Sequence, residues 1–462
     1  MPLFFAVQAK GMNILRVLVR PFLFIFQFLY RVFWSGLNEK SLIQLVVSFW
    51  INFAPVFVWL MIFKNAGLIP KKIRPPIHVK LAMNMDIFMF DFMKKPIGSL
   101  ITLTGLAAVS WLLYKKFYRP SAYAELSSIL DDNSFEMSSG GSSDLEDQVS
   151  TFDLAKYHSS TPSAPGDFQD DVHHGDLVFF HKLSHRRIAA RTAEINRKIV
   201  EHLQTTGLYR PYNCWHLSPI LLTAASWVLL NIAHYFRVEV YTAKDLFAWA
   251  SYVLGHFFVP LFTAIWLYVF HAPGALKLFS FGLGMQNIAG VLTHLLLPTA
   301  PPWFIHLNGE NLTANYDMPG YAAGLTRIDV EMGTHLHSKG FHASPIVFGA
   351  VPSLHSAMAV MAFYFVSYYS RWTILKIMAL SFVCIQWWAT IYLDHHWRLD
   401  LIVGMFYSLV AITILRTWSK GFNKVDKDFL DARLRFDFIR GSTMGMRVFR
   451  NTRLQSFFDP LS

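Results

Sequence analysis

Apolar residues recur along the chain in long runs, and this pattern decides the fold class. Most runs approach the roughly 20 residues that a helix needs to cross the hydrocarbon of a bilayer. They occupy residues 42–63, 98–114, 217–235, 246–270, 277–297, 349–369, 374–393 and 399–416. Because lipid offers the backbone no hydrogen-bond partners, each run is predicted to be a helix and not part of an open sheet. We therefore expect an all-α, polytopic membrane protein.

A further apolar run, 12–33, is interrupted by Arg16, Arg20 and Arg31. It could cross the membrane, or it could lie in the interface with its arginines among the headgroups. The pattern alone leaves both interpretations open.

Composition and charge agree with a membrane protein. Charged residues make up 15% of the chain, against about 25% in soluble domains. The net charge of +11 could suit a nucleic acid, but Lys and Arg that flank membrane spans and face anionic lipid explain it better. We predict no nucleic-acid partner. Cys214 and Cys384 are far apart and lack metal-type spacing, so no disulfide is expected.

The polar segments divide the chain into four predicted regions. These are N-terminal membrane or interfacial helices (1–114), a cytosolic insertion (115–216), a catalytic transmembrane core (217–416) and a basic cytosolic tail (417–462). Within the insertion, the Ser-, Gly- and acid-rich segment 121–175 is predicted to be disordered. The basic segment 181–210 is predicted to be a helix, either on the membrane surface or solvated without a partner.

The positive-inside rule places the basic C-terminal tail in the cytosol. Counting spans back from it places loops 298–348 and 394–398 on the outer side, and the sequon at Asn311 agrees. Loop 64–97 disagrees, because it is rich in Lys and Arg and yet falls outside. Either the run 98–114 does not span, or loop 64–97 lies along the membrane.

Three ionisable residues, His355, His396 and Asp400, are predicted to meet at the outer surface. Ionisable groups at membrane depth are costly and usually mark a functional site. His396 and Asp400 are four residues apart, so a helix would place them on one face. The carboxylate could then accept from one imidazole nitrogen and leave the other free to attack. His355, from another span, could protonate a leaving alkoxide and then deprotonate an acceptor hydroxyl.

Other interpretations of these residues stay open. An i, i+4 pair such as His396 and Asp400 often only stabilises a helix. Two His and one Asp could bind zinc, but no further convincing ligand is present, so we predict no metal and no cofactor. The segment Pro301-Pro302-Trp303 is either a helix stop with an interfacial Trp anchor or a direct substrate contact.

At these residues the sequence resembles the type 2 phosphatidic acid phosphatase (PAP2) superfamily, whose motifs read Pro-Ser-x-His and His-x-x-x-Asp. Pro352-Ser353-Leu354-His355 and His396-Trp397-Arg398-Leu399-Asp400 match them. The resemblance implies a six-helix core in which His396 forms a phosphohistidine, Asp400 orients it and His355 protonates the leaving group.

Two departures from the wider superfamily bear on the substrate. Pro298 to Trp303 stand where its first, cationic motif is expected, and Ala389-Thr390 replaces the Ser-Arg before the third motif. Those cations normally hold a phosphomonoester dianion. Their absence favours a less charged phosphodiester, and hydrolysis of a lipid phosphate or pyrophosphate is the alternative.

A closer resemblance is to the fungal inositol phosphorylceramide synthases, the aureobasidin A target family. It is carried by Ala300-Pro301-Pro302-Trp303, Ala314-Asn315-Tyr316-Asp317-Met318, Gly324-Leu325-Thr326-Arg327-Ile328-Asp329, Phe348 to Ser356 and Trp387 to His396, with Arg74-Pro75-Pro76 upstream. It implies transfer of inositol phosphate from phosphatidylinositol to ceramide, with release of diacylglycerol. It also implies a Golgi or endoplasmic reticulum membrane, a lumenal active site and a regulatory membrane subunit as a further partner.

Substrate-binding residues are predicted on the same basis. Arg327 would hold the donor phosphate or inositol, although a salt bridge is the alternative, and Asn315 and Asp317 would position hydroxyls. His294 and Ser353 are further predicted contacts. Segment 95–240 departs from the synthases, which leaves open a paralogue with a changed substrate or regulation. A non-catalytic, lipid-binding or scaffolding protein is the remaining alternative.

Overall fold

The computed structural model describes residues 2–38, 40–118, 194, 197, 214–417, 421–434 and 437–461. The predicted disordered segment 121–175 and nearly all of the basic segment 181–210 lie outside them. In chain order the helices are α1 (Pro2–Leu37), α2 (Leu42–Asn65), α3 (Leu81–Phe90), α4 (Pro96–Tyr118), α5 (Ser218–Tyr235), α6 (Thr242–Trp249), α7 (His256–Phe270), α8 (Ala275–Leu296), α9 (Pro302–Asn308), α10 (Leu325–Glu331), α11 (Leu336–His342), α12 (Leu354–Tyr369), α13 (Thr373–Tyr392), α14 (Arg398–Thr417), α15 (Gly421–Leu434) and α16 (Met444–Val448). A π-helical turn, Ala250–Gly255, joins α6 to α7.

The predicted all-α membrane fold is confirmed. Among the described residues, 7 helical segments are long and apolar enough to cross a bilayer: Leu42–Leu68, Pro96–Lys115, Trp215–Tyr235, Thr242–Phe270, Ala275–Leu296, Thr373–Tyr392 and Arg398–Thr417. The predicted run 349–369 is not among them. Its helix α12 begins only at Leu354 and has 16 residues, because the preceding residues form a loop. The run 12–33 lies within the longer helix α1.

Helix α12 forms the centre of the bundle. It packs against α8, α13 and α14, and Val360, Met361 and Phe365 on it are fully buried. Small residues allow the close approach of α8: a Cβ atom at Gly282 would lie 3.2 Å from the Met361 side chain, and one at Gly290 would lie 2.4 Å from Leu354. Small residues at helix contacts are typical of membrane bundles, where packing drives helix association.

At one end of the bundle, three connecting segments are hydrogen-bonded side by side. The backbone N–H of His78 donates to the Pro298 carbonyl over 2.9 Å, and the N–H of Thr299 donates to the Phe348 carbonyl over 3.0 Å. Lys71 forms an ion pair with Asp317 on the same surface. Loop 64–97 therefore lies at the same end as loop 298–348, as span counting predicts.

The C-terminal tail is folded and lies at the opposite end. The guanidinium of Arg31, near the end of α1, donates to the Val448 carbonyl over 3.2 Å, and that of Arg447 donates to the Ser35 carbonyl over 3.1 Å. Burial lowers the pKa of Arg447 to about 10. The tail that the sequence describes only as basic is thus packed against the end of α1.

Candidate active site

His396 and Asp400 are in contact at the start of α14. The Nδ1 atom of His396 lies 3.3 Å from Oδ2 of Asp400 and 3.1 Å from the Ala350 carbonyl oxygen. Oδ2 also accepts from the backbone N–H of Trp397 over 2.8 Å, and the Asp400 residue is completely buried. Because both neighbours of Nδ1 are acceptors, Nδ1 carries the proton and Nε2 keeps its lone pair. This tautomer leaves Nε2 unprotonated and therefore able to act as a nucleophile.

His355 reaches the same place from the first turn of α12. Its ring centroid lies 5.8 Å from that of His396, and its other ring neighbours are Tyr252 at 4.1 Å and His256 at 4.3 Å. The structure thus brings together the three residues predicted to be catalytic. Their distances suit a nucleophile, its orienting carboxylate and a proton donor for the leaving group.

The turn before His396 is fixed by a residue with a left-handed backbone conformation. Asp394 has φ of 66°, which Asp tolerates better than most residues. Its carboxylate contacts Nδ1 of His306 at 2.7 Å, and its carbonyl accepts from the N–H of Trp303 over 3.1 Å. The Pro301-Pro302-Trp303 segment therefore begins α9 and braces the turn that presents His396.

Ser353 connects the two motif helices. Its backbone N–H donates to the Asp400 carbonyl over 2.9 Å, and its hydroxyl accepts from the N–H of Ser356 over 3.4 Å as the N-cap of α12. The residue is completely buried, and Gly404 of α14 packs against its carbonyl. This arrangement favours a helix cap over the predicted substrate contact.

His294 supports the Pro-Ser-x-His loop from α8. Its Nε2 atom lies 2.8 Å from the Pro352 carbonyl oxygen. Its ring also packs against Gly349, where a Cβ atom would approach to 3.0 Å. His294 therefore holds the loop whose Ala350 carbonyl contacts His396.

Arg327 forms the ion pair that the sequence left as its alternative. Its Nε and Nη2 atoms bond the carboxylate of Asp245 at 2.6–3.0 Å, and its guanidinium stacks over the ring of Tyr392. The Tyr392 hydroxyl donates to the same carboxylate over 2.8 Å. The ion pair joins α10 to α6 beside the turn that carries His396. Its proposed contact with donor phosphate stays a prediction.

Asp317 lines a cavity of about 270 Å³ at the end of the bundle where loops 64–97 and 298–348 meet. The side-chain carbonyl oxygen of the neighbouring Asn315 accepts the backbone N–H of Asp317 over 2.9 Å. The cavity walls also include Arg74, Tyr316 and His294. The Arg74 guanidinium is oriented by bonds to three backbone carbonyls and lies over the Tyr316 ring. His294 belongs both to this wall and to the support of the catalytic loop, so the cavity adjoins the site.

Two buried groups, His395 in the turn before α14 and Asp329 on α10, have a strongly displaced pKa. Burial is the main cause that lowers the pKa of His395 to about 3, so this imidazole is neutral. Burial alone would raise the pKa of the Asp329 carboxyl, but hydrogen bonds from Ser338 and His337 outweigh it and hold that pKa well below its usual range. Asp329 thereby fixes the segment between α10 and α11.

Sequence reasoning missed several residues that the structure places at the site. Asp86 on α3 accepts a hydrogen bond from Nη2 of Arg398 over 2.7 Å. Arg398 is the middle residue of the His-x-x-x-Asp motif. Tyr252 and His256 contact His355. The sequence did contain a signal for Asp86 and for His256. An acid in the apolar segment 81–90 and a His in the apolar run 246–270 are energetically costly unless they serve a structural or catalytic role.

Comparison with known proteins assigns the chain to a family. The model of the PAP2 superfamily matches residues 220–414. "Inositolphosphotransferase 1" of Saccharomyces cerevisiae is 31% identical over 94% of this chain and 98% of its own length. "Inositol phosphorylceramide synthase catalytic subunit AUR1" of the same yeast is 38% identical over 39% of this chain and 44% of its own. "Phosphoinositol dihydroceramide synthase" of Bacteroides thetaiotaomicron is 30% identical over 40% and 59%. No solved structure matches significantly.

The extent of these matches decides how far the assignment goes. The synthases match only part of their length, whereas the match with inositolphosphotransferase 1 extends through nearly all of both chains. The residues matched by the superfamily model contain both motifs and the contact between His396 and Asp400. The chain therefore belongs to the inositol phosphorylceramide synthase family of phosphotransferases, within the PAP2 superfamily, and takes part in sphingolipid synthesis.

Proposed function

We propose that the protein transfers inositol phosphate from phosphatidylinositol to the primary hydroxyl of ceramide through a phosphohistidine on His396. The observation that carries this proposal is the orientation of His396. Its Nδ1 atom is held by the Ala350 carbonyl and Asp400, which leaves Nε2 unprotonated beside His355. A nucleophile and a proton donor in one site are what a two-step transfer needs.

In the first step, Nε2 of His396 attacks the phosphorus of the donor. The N–P bond forms as the bond from phosphorus to the diacylglycerol oxygen breaks, and protonated His355 gives its proton to that oxygen. Asp400 stabilises the positive charge that develops on the imidazole of His396. Diacylglycerol leaves, and inositol phosphate stays on the enzyme.

In the second step, the acceptor hydroxyl attacks the same phosphorus. Neutral His355 takes the hydroxyl proton as the O–P bond forms, and the N–P bond breaks to return its electron pair to Nε2. The proton given up in the first step is thus recovered in the second. The proposed cycle therefore needs neither a metal nor an external acid.

The donor headgroup is assigned to the cavity beside His294. Inositol is a polyol without charge, and the cavity walls offer Asp317, the Tyr316 ring and Arg74 as hydrogen-bonding and cationic groups. Such a mixture of apolar wall and few polar groups is typical of small-molecule sites. The predicted contacts of Asp317 and His294 fit this placement, whereas the side chains of Arg327 and Ser353 are engaged elsewhere.

The acceptor is less closely defined than the transferred group. The relatives whose names specify ceramide or dihydroceramide match only part of this chain, and the full-length relative is named only for the group it transfers. We keep ceramide as the proposed acceptor. The Golgi or endoplasmic reticulum membrane, a lumenal site and a regulatory membrane subunit belong to the same proposal.

Incubations with and without the acceptor ceramide distinguish transfer from hydrolysis. Membranes that contain the protein are incubated with inositol-labelled phosphatidylinositol and EDTA, with and without ceramide, and compared with His396→Ala membranes. We expect a labelled inositol sphingolipid that forms only with ceramide and only with the wild type. Phosphate release from phosphatidic acid without any acceptor, and no such sphingolipid, would replace the transfer proposal with a lipid phosphatase. A product that requires another sphingolipid instead would correct the acceptor.

A further inference from the structure

The helix that faces His355 changes its winding at the point of contact. Helices α6 and α7 are joined by the π-helical turn Ala250–Gly255, and single π turns inside helices occur often at functional sites. Tyr252 lies in this turn and His256 directly follows it. Both rings contact the imidazole of His355, at centroid distances of 4.1 Å and 4.3 Å.

The contact with Tyr252 belongs to a column of flat rings. Phe341 stacks on His395 at 4.8 Å, His395 on Tyr252 at 4.9 Å and Tyr252 on His355 at 4.1 Å, with interplanar angles of 19–24°. Stacked aromatic pairs stabilise each other beyond the area they bury. The column fixes the plane of the His355 ring relative to the loop that holds His396.

The π turn is itself tied to α13. The Ser251 hydroxyl donates to Oε1 of Gln386 over 2.7 Å in a buried contact. A Cβ atom at Gly255 would lie 2.7 Å from the Phe382 ring, so only glycine allows the backbone this approach. These two contacts fix the π turn, and with it Tyr252 and His256, against α13.

Hydrogen bonds do not explain how His355 is oriented. Within the described part of the chain, the side chains of His294, His396, Asp400 and Ser353 take part in hydrogen bonds, whereas none is found on the His355 imidazole. The Nδ1 atom of His256 is buried and likewise has no partner among those residues. Packing of rings is therefore the interaction that positions the imidazole of His355.

We propose that Tyr252 and His256 form an aromatic clamp that positions His355 for proton transfer to and from the lipid oxygens. The proposal rests on the proposed role of His355 as the proton donor of the transfer reaction. Tyr252 and His256 are positioning residues: they contribute flat faces and no protons. A misplacement of a reacting group by about 1 Å can cost 10²-fold in rate, so loss of either face should slow the chemical step.

The test compares ring-removing with ring-keeping substitutions in detergent-purified protein. Tyr252→Leu and His256→Leu remove a flat face, whereas Tyr252→Phe and His256→Phe keep it. We expect the Leu variants to lose about 10- to 100-fold in kcat with an unchanged donor KM. The Phe variants should stay within about threefold of the wild type. Phe258→Leu, on the exposed side of the same helix, is the matched control and should keep full activity.

Other outcomes would contradict the role proposed for Tyr252 or for His256. Leu variants with wild-type kcat would show that His355 needs no clamp. A His256→Phe variant as slow as His256→Leu would show that the His256 imidazole takes part in proton transfer instead. If Tyr252→Leu does not fold, the two His256 variants still decide, because His256 is less completely buried than Tyr252. Failure of the wild type to make product would contradict the proposed function itself and not the clamp.

Discussion

The carboxylate of Asp86 holds the guanidinium of Arg398 in a buried ion pair, with Oδ2 at 2.7 Å from Nη2 and 3.1 Å from Nε. Its other oxygen accepts the backbone N–H of Leu399 over 3.1 Å, and Asn231 of α5 completes the contacts of Arg398. Arg398 lies between His396 and Asp400 in the chain. The short helix α3 is thereby fastened to the first turn of the catalytic helix, so the N-terminal region supports the active site directly.

Removal of the Asp86 carboxylate should destabilise the protein and lower its transferase activity. Asp86→Ala leaves the Arg398 guanidinium buried without its counter-charge, which typically costs about 3–5 kcal/mol. We expect a clear fall in the thermal unfolding temperature in detergent and a loss of transferase activity. Lys94→Ala is the control, because its pair with Asp91 is exposed to solvent and should contribute about 0–1 kcal/mol. Equal effects of the two substitutions would contradict the role assigned to Asp86.

Substitution of Asp400 by Asn tests the tautomer of His396. The Asn amide keeps the size of the side chain but can donate to Nδ1, which would place the imidazole proton on Nε2 and block attack. We expect kcat to fall by about 10²- to 10⁴-fold while the protein stays folded, as judged by its unfolding temperature. Retention of more than a tenth of the wild-type kcat would show that Asp400 does not set the tautomer.

Arg327 should affect stability more than donor binding. Arg327→Ala removes the bidentate partner of Asp245, and we expect a loss of about 2 kcal/mol. The loss is smaller than for Asp86 because 36% of the Arg327 side chain is exposed and the pair is screened by solvent. The KM for phosphatidylinositol should not change. An increase in that KM at unchanged stability would instead support the sequence-based role of Arg327 in holding the donor phosphate.

Asp317 should act on donor affinity alone. Its side chain lies on the outer wall of the cavity and is largely exposed apart from Lys71. Asp317→Ala should raise the KM for phosphatidylinositol by about tenfold, which corresponds to one hydrogen bond to a charged group, with kcat unchanged. Glu331→Gln, exposed and outside the cavity, is the comparison variant. If both substitutions leave the KM unaltered, the headgroup does not bind in this cavity.

Much of this architecture could be predicted from the sequence, and particular residues show where prediction ends. The apolar runs are long, so helix type and membrane class follow from them, and His355, His396 and Asp400 stand out by their motifs. The predicted run 349–369 begins five residues before its helix, because apolar residues of the loop before Leu354 continue the hydrophobic pattern of α12. The hydrophobic pattern alone does not show that the Pro352-Ser353 turn delays the start of this helix.

The contacts across the bundle could not be predicted, because they join residues far apart in the chain. Asp86 and Arg398 are separated by more than 300 positions. In its own segment of the sequence, each is an isolated charge without an evident partner. The charge of the basic loop 64–97 conflicts with the position that span counting predicts for it, and the structure places this loop beside loop 298–348, where Lys71 and Lys80 bond Asp317 and Asn311. Such long-range partners are not visible in the local charge pattern.

If inositol phosphate becomes bound to Nε2 of His396, it should be trapped on the protein when no acceptor is supplied. Purified protein is mixed with phosphatidylinositol labelled in its phosphate, quenched in base and separated under denaturing conditions. We predict label on the wild type that is stable to base, labile to acid and discharged by ceramide, reduced label on Asp400→Asn and none on His396→Ala. Label that persists on folded His396→Ala protein, or product formation by that variant at the wild-type rate, would show that His396 is not the nucleophile.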